Sequence, residues 1–103
     1  MELEIRGRNL PLSPSLQDLV QRRLAFALDR FGPEIRRVDV RLADINGPRG
    51  GVDKRCQVEV TLAHGGHVRA EGTDAGVRDA IDRAAHRTAR RVTRRLGRAA
   101  SLR

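Results

Sequence analysis

TDAGVRDAIDRAAHRTARRVTRRL, residues Thr73 to Leu96, carries apolar and basic residues in two separate helical periods. Val77, Ile81, Ala84, Thr88 and Val92 recur at spacings of three and four, which predicts one long amphipathic helix from Asp74 to Leu96 with a stripe to bury. Arg83, Arg87, Arg90, Arg91, Arg94 and Arg98 recur at the same spacings, turned roughly a third of a revolution away. One side packs and its neighbour is a ridge of guanidinium groups. Charge is distributed just as unevenly. Residues 1 to 82 hold thirteen basic and thirteen acidic side chains, whereas residues 83 to 103 hold eight basic and none acidic. The formal net charge of +8 therefore sits on this last element.

A charge run usually keeps a helix face solvated, and arginine is a good helix former. A merely solvated face, however, interleaves both signs, because like charges four residues apart repel by a few tenths of a kcal/mol. No acidic residue within the run offsets that repulsion, which favours a polyanion lying against it, nucleic acid above all.

Working outward, the 103 residues are enough for one domain with a two-layer core, assigned to residues 1–98 with 99–103 as a frayed tail. No apolar run approaches the ~20 residues of a membrane span, and MELEIRGRN lacks the pattern of a secretory signal. A soluble, cytoplasmic protein without a membrane partner is expected. Cys56 is the only cysteine, and His64, His67 and His86 are too scattered for a metal site, so neither metal nor cofactor is expected. With Phe26 and Phe31 the only aromatics, no exposed platform for stacking bases is expected either, leaving phosphate and shape as the means of recognition.

Before the long helix, Leu3, Ile5 and Gly7 alternate with charged residues as a first strand. Ser13 followed by Pro14 starts a helix, along which Leu16, Leu19, Val20, Leu24, Ala27, Leu28 and Phe31 form the buried side until Gly32-Pro33 stops it. Arg22, Arg23 and Arg30 lie on its outer side, and Asp18 and Asp29 are close to Arg22 and Arg23. Residues Ile35 to Asp44 alternate as a second strand. Ile45 to Asp53 is rich in turn formers and reads as a hairpin loop, although glycines around Arg49 could also cradle a phosphate. Cys56, Val58, Val60 and Leu62 make the third strand, with Cys56 facing the core as a small hydrophobe. His64-Gly65-Gly66-His67 is a tight turn, Val68 and Ala70 face inward from the fourth strand, and Asp74 or Thr73 caps the last helix.

The predicted order is β-α-β-β-β-α, an α+β fold. Charged outward residues leave one sheet face for both helices, and a right-handed crossover makes the first two strands parallel. The expected mixed sheet has the order 1-2-3-4, similar to a double-stranded-RNA-binding domain.

This arrangement, with Ile5-Arg6-Gly7-Arg8-Asn9, Gly47-Pro48-Arg49-Gly50-Gly51 leading through Asp53-Lys54 to Cys56, and Ala80-Ile81-Asp82, resembles the short ribosome hibernation promoting factors. That family is also called ribosome-associated inhibitor or sigma-54 modulation proteins. The resemblance spans nearly the whole chain. It implies a non-enzymatic protein that settles in the mRNA and tRNA channel of the small ribosomal subunit, contacts rRNA with basic residues of both helices and so blocks translation. Carried over by position, the family's basic residues fall on Arg87, Arg90 and Arg94, with Arg91 where a polar residue is common. Arg23 matches a basic position of the first helix, and Arg8 follows the matched glycine. The chain departs from the pattern at Gly76, Arg78 and Asp79, which would loosen the start of the last helix and bring a charge near the core. It also ends without the extra domain by which long forms pair ribosomes, and a free monomer is expected.

The candidate RNA-binding set is thus Arg83, Arg87, Arg90, Arg91, Arg94 and Arg98, with Arg23, Arg22 and Arg8. A generic duplex-RNA module and a protein docking on an acidic partner are the alternatives. Catalysis is disfavoured, because His64 and His67 sit on a turn without a carboxylate partner or nucleophile, so no small-molecule substrate is expected.

Overall fold

Alternating and helical periods become secondary structure close to the predicted boundaries. The computed structural model describes residues 1–46 and 53–101, with side chains described through residue 97. The glycine-rich stretch 47–52, read above as a loop or phosphate cradle, and the side chain of Arg98 lie outside the described residues. The elements are β1 (Glu2–Arg8), α1 (Pro14–Leu28), a 3₁₀ segment (Asp29–Glu34), β2 (Ile35–Asp44), β3 (Lys54–Leu62), β4 (His67–Asp74) and α2 (Val77–Ser101). They form one four-stranded sheet in the order β1-β2-β3-β4. β1 pairs parallel with β2, and the other two pairings are antiparallel. This is the predicted β-α-β-β-β-α fold, with both helices on one face.

Alternation sorts the two faces. Val38, Val40, Leu42, Cys56, Val58, Val60, Leu62, Val68 and Ala70 are buried beneath the helices. Burial pushes the Cys56 thiol up to about 12, so it packs as a hydrophobe and holds no reactive thiolate at neutral pH. From α1 the buried residues are Leu19, Val20, Leu24 and Leu28, and from α2 they include Ala80, Ile81, Ala84, Ala85 and Val92. Thr88 lies in the same stripe, fully buried, and its hydroxyl donates to the Ala84 carbonyl at 2.7 Å, so no polar atom is stranded there. Ser13 caps α1, its hydroxyl oxygen accepting from the Leu16 amide at 3.1 Å, with Pro14 in the first turn.

Four expectations need correction. The first helix ends at Leu28 rather than at Gly32-Pro33, and Phe31 belongs to the 3₁₀ segment that follows. The last helix starts at Val77 rather than Asp74, because β4 keeps its ladder to β3 as far as the Lys54–Asp74 pair. Asp74 then accepts from the Gly76 amide at 3.3 Å, and the helical ladder begins with the Ala80 amide donating to the Gly76 carbonyl. Arg78 and Asp79 are exposed, so the departures there bring no charge to the core. Phe26, finally, projects from α1 with 91% of its surface exposed, on the side away from the buried stripe.

The two layers meet most closely at Gly72 of β4. A Cβ there would stand 2.6 Å from the Ala84 nitrogen and 2.7 Å from the Ala80 carbonyl oxygen, both backbone atoms of α2. Only glycine permits that approach, and the alanines facing it on α2 complete it. Gly65 and Gly66, at φ 97° and 91°, turn the chain from β3 into β4. Gly72→Ala should therefore force α2 off the sheet and lower the unfolding free energy by about 1–3 kcal/mol in urea titrations, as overpacking against rigid backbone does.

Candidate nucleic-acid interface

α2 contains eight arginines and two aspartates, Asp79 and Asp82. It runs antiparallel to β4, so arginines four residues apart meet successive positions of that strand. Arg83 Nε donates to Asp74 Oδ2 at 3.1 Å, Arg87 donates to the Glu71 carbonyl at 3.0 Å, and Arg91 donates to the Arg69 carbonyl. Arg95 continues the series against Gly66, where its Nη2 would stand 2.2 Å from an added Cβ. β4 is an edge strand, and the carbonyls taken by Arg87 and Arg91 belong to its unpaired side. Capping them removes part of a template for strand addition. Among the described residues, one nitrogen each of Arg83, Arg87 and Arg91 is engaged in this way, and their remaining donors can meet a further acceptor.

The absence of offsetting acids within the run is therefore only part of the account. Partners arrive from β4, which lies at least nine residues away in sequence, and the helical spacing of the arginines conceals them. Asp74 shows the effect on ionisation. The Gly76 amide and, after it, the Arg83 guanidinium hold its carboxyl below the ordinary 3.8. The other described arginines of the ridge, Arg90 and Arg94, are exposed and make no hydrogen bond or ion pair with any described residue.

The basic residues of the first helix divide similarly. Arg23 Nε donates to Asp82 Oδ1 of α2 at 2.8 Å, which ties the helices together beside Arg90. Arg22 pairs with Asp18 one turn earlier at 3.0 Å. Arg30, absent from the sequence-derived set, donates to Thr93 Oγ1 at 3.2 Å and stacks over Phe31 at 4.8 Å. Arg23, Arg30 and Arg90 thus border one groove between α1 and α2, together with His86 and the exposed Phe26. Arg8 ends β1, and on the register it opposes Ala43 of β2, far along the sheet from that groove. The structure brings Arg23 and Arg90 together with Arg30, and leaves Arg8 and Arg22 apart from them. Arg30 was legible only as a residue on an outer helix side, since its neighbour Thr93 is distant in the chain.

The open face of the sheet is different in kind. Arg37 bridges Glu2, Glu4 and Asp39, Arg6 pairs with Glu4 at 2.9 Å, and Arg69 pairs with Glu59. Hydrogen bonds from Arg6 and Arg37 hold the Glu4 carboxyl low, and Arg37 does the same for Asp39. These pairs balance much of the charge on the open face, although Arg41 has no ion pair among the described residues and Arg87 and Arg91 reach over the edge of β4 to border the same surface.

The model of the sigma 54 modulation protein / S30EA ribosomal protein family matches residues 3–100. The chain belongs to this family. Solved structures similar to it include the following two. The crystal structure of the Thermus thermophilus Protein Y N-terminal domain is 32% identical, covers 91% of this chain and 98% of its own, and has a TM-score of 0.75. A ribosomal subunit interface protein from Coxiella burnetii is 18% identical, covers 94% of this chain and 99% of its own, and shares the fold at a TM-score of 0.77. None of the curated proteins matches. The family that the sequence resembles is thus the one its model identifies.

Two tests separate the arginines by role. Arg87→Ala with Arg91→Ala should lower stability by about 0.5–1.5 kcal/mol per lost hydrogen bond, whereas Arg90→Ala with Arg94→Ala should leave the denaturation midpoint unchanged. The lowered Asp74 pKa predicts the second: its stabilisation is full above its ordinary value and fades as pH falls through the lower folded value. The stability gap between wild type and Asp74→Asn should be constant from pH 5 to 8 and close below about pH 4 in thermal melts.

Proposed function

We propose that this protein docks on rRNA in the mRNA and tRNA channel of the small ribosomal subunit and inhibits translation by occupying it, as a cytoplasmic hibernation factor. The observation that carries the reading is the arginine side of α2, with Arg90 and Arg94 unpaired among described residues on a helix anchored along its whole apolar stripe. Membership of a family described as sigma 54 modulation protein / S30EA ribosomal protein supports the ribosome as partner, as does likeness to a Protein Y domain.

The chemistry suits a phosphate backbone. A guanidinium offers a planar fork that matches phosphate oxygens, and a packed helix holds successive forks at set intervals without further ordering. Arg90 and Arg94 are the principal contacts, and the spare donors of Arg83, Arg87 and Arg91 widen the strip. Arg23 contributes less charge, because Asp82 already balances it. Inhibition by occlusion asks for no catalytic group. Among the described residues no cluster of His, Cys, Asp or Glu is arranged to hold a metal, and no helix is long and apolar enough to cross a membrane.

Affinity for isolated small subunits should fall steeply with KCl, with a log–log slope of roughly −0.7 to −0.9 per phosphate contact. Arg90→Glu with Arg94→Glu should abolish binding and translation inhibition while the fold persists. A flat salt response would sink the phosphate model, and equal affinity for plain duplex RNA would replace the ribosomal reading with a generic duplex binder.

A further inference from the structure

Phe26 is the most exposed large hydrophobic side chain among the described residues. It sits in α1 between Arg23 and Arg30, one turn from each, and exposes 91% of its surface. Phenylalanine there adds neither burial nor helix propensity over alanine or leucine. A single exposed hydrophobe is ordinary on a protein surface, but the surroundings of this one are not. It borders the groove of about 480 Å³ between α1 and α2, whose floor includes Ala27, Ala85 and Ala89. The rim adds Arg23, Arg30, Arg90 and His86, and its one carboxylate, Asp82, is already held by Arg23 at 2.8 Å.

Two of the three arginines are held so that they leave the ring open. Arg30 stacks on Phe31 and donates to Thr93, and Arg23 is turned toward Asp82. A π-face thus stands free within a collar of positive charge. An apolar protein surface seated here would strip water from guanidinium groups without offering counter-charge. A strand of RNA with an unpaired base supplies both missing parts, an aromatic plane for the ring and phosphates for the arginines beside it.

We propose that Phe26 is a stacking platform for an unpaired RNA base, with the adjoining phosphates on Arg90 and Arg30. This deepens the docking reading above and rests on it. It also reverses the expectation that the chain reads phosphate and shape alone.

The chain contains no tryptophan or tyrosine, so Phe26→Trp introduces a single reporter at the site. Its fluorescence should be quenched by a short unstructured oligoadenylate and left unchanged by a fully paired duplex of equal length, in which no base is free. On isolated small subunits Phe26→Trp should bind as wild type does. Phe26→Ala and Phe26→Leu should each bind about 5- to 150-fold more weakly, the range for one stacked base, with unchanged melting temperatures. Absence of quenching by oligoadenylate, or wild-type affinity in Phe26→Ala, overturns the stacking role while subunit binding by the wild type stands. Wild-type affinity in Phe26→Leu alone overturns it in favour of an apolar contact with a ribosomal protein. Failure of the wild type to bind small subunits overturns the docking reading itself, and the stacking role falls with it.

Discussion

The contact between Gly72 and the backbone of α2 governs the molecule. With no side chain on β4 at that point, the Ala80 and Ala84 turns of the helix settle directly on the strand. This approach sets both the height and the rotation of α2 over the sheet. Rotation in turn decides the fate of each arginine. Arg83, Arg87, Arg91 and Arg95 fall along the outer edge of β4, while Arg90 and Arg94 point past it. A larger residue at position 72 would change the packing, and it would also redistribute the positive charge between fold and surface.

Arginine consequently serves two purposes on one helix. The residues along β4 exchange part of their hydration for carbonyl and carboxylate partners, which covers an otherwise open strand edge. Those left over, Arg90 and Arg94, add positive charge to the helical layer, while on the open sheet face Arg37, Arg6 and Arg69 are paired with carboxylates. On the helical layer a polyanion would meet guanidinium groups, Arg90 and Arg94, that no described carboxylate offsets. The Arg23–Asp82 link joins the two helices beside Arg90, at the groove that Phe26 borders.

Much of this was legible in the residues. Alternation in β3 and in the middle of β2 marked their faces, Ser13-Pro14 marked the start of α1, and the two helical periods of α2 separated its apolar stripe from its arginines. The errors have a common origin. Helix ends were misjudged where a long-range pairing, such as Lys54 with Asp74, outlasted the local signal. The arginine ridge reads as unbalanced along the chain because its partners on β4 are invisible to any local window. Phe26, one of only two aromatics, lies off the apolar stripe of its own helix. That position was readable, and its exposure could have been foreseen.

By itself the sequence determined the order of elements, the strand faces and the placement of net charge at the C-terminal end, because each follows from spacing along a single segment. Only the tertiary structure decided which arginines are occupied, which are free, and which aromatic stands among them. Those outcomes depend on β4, α1 and α2 meeting in space. The hydrogen bonds that distinguish one arginine from the next join residues up to 63 positions apart.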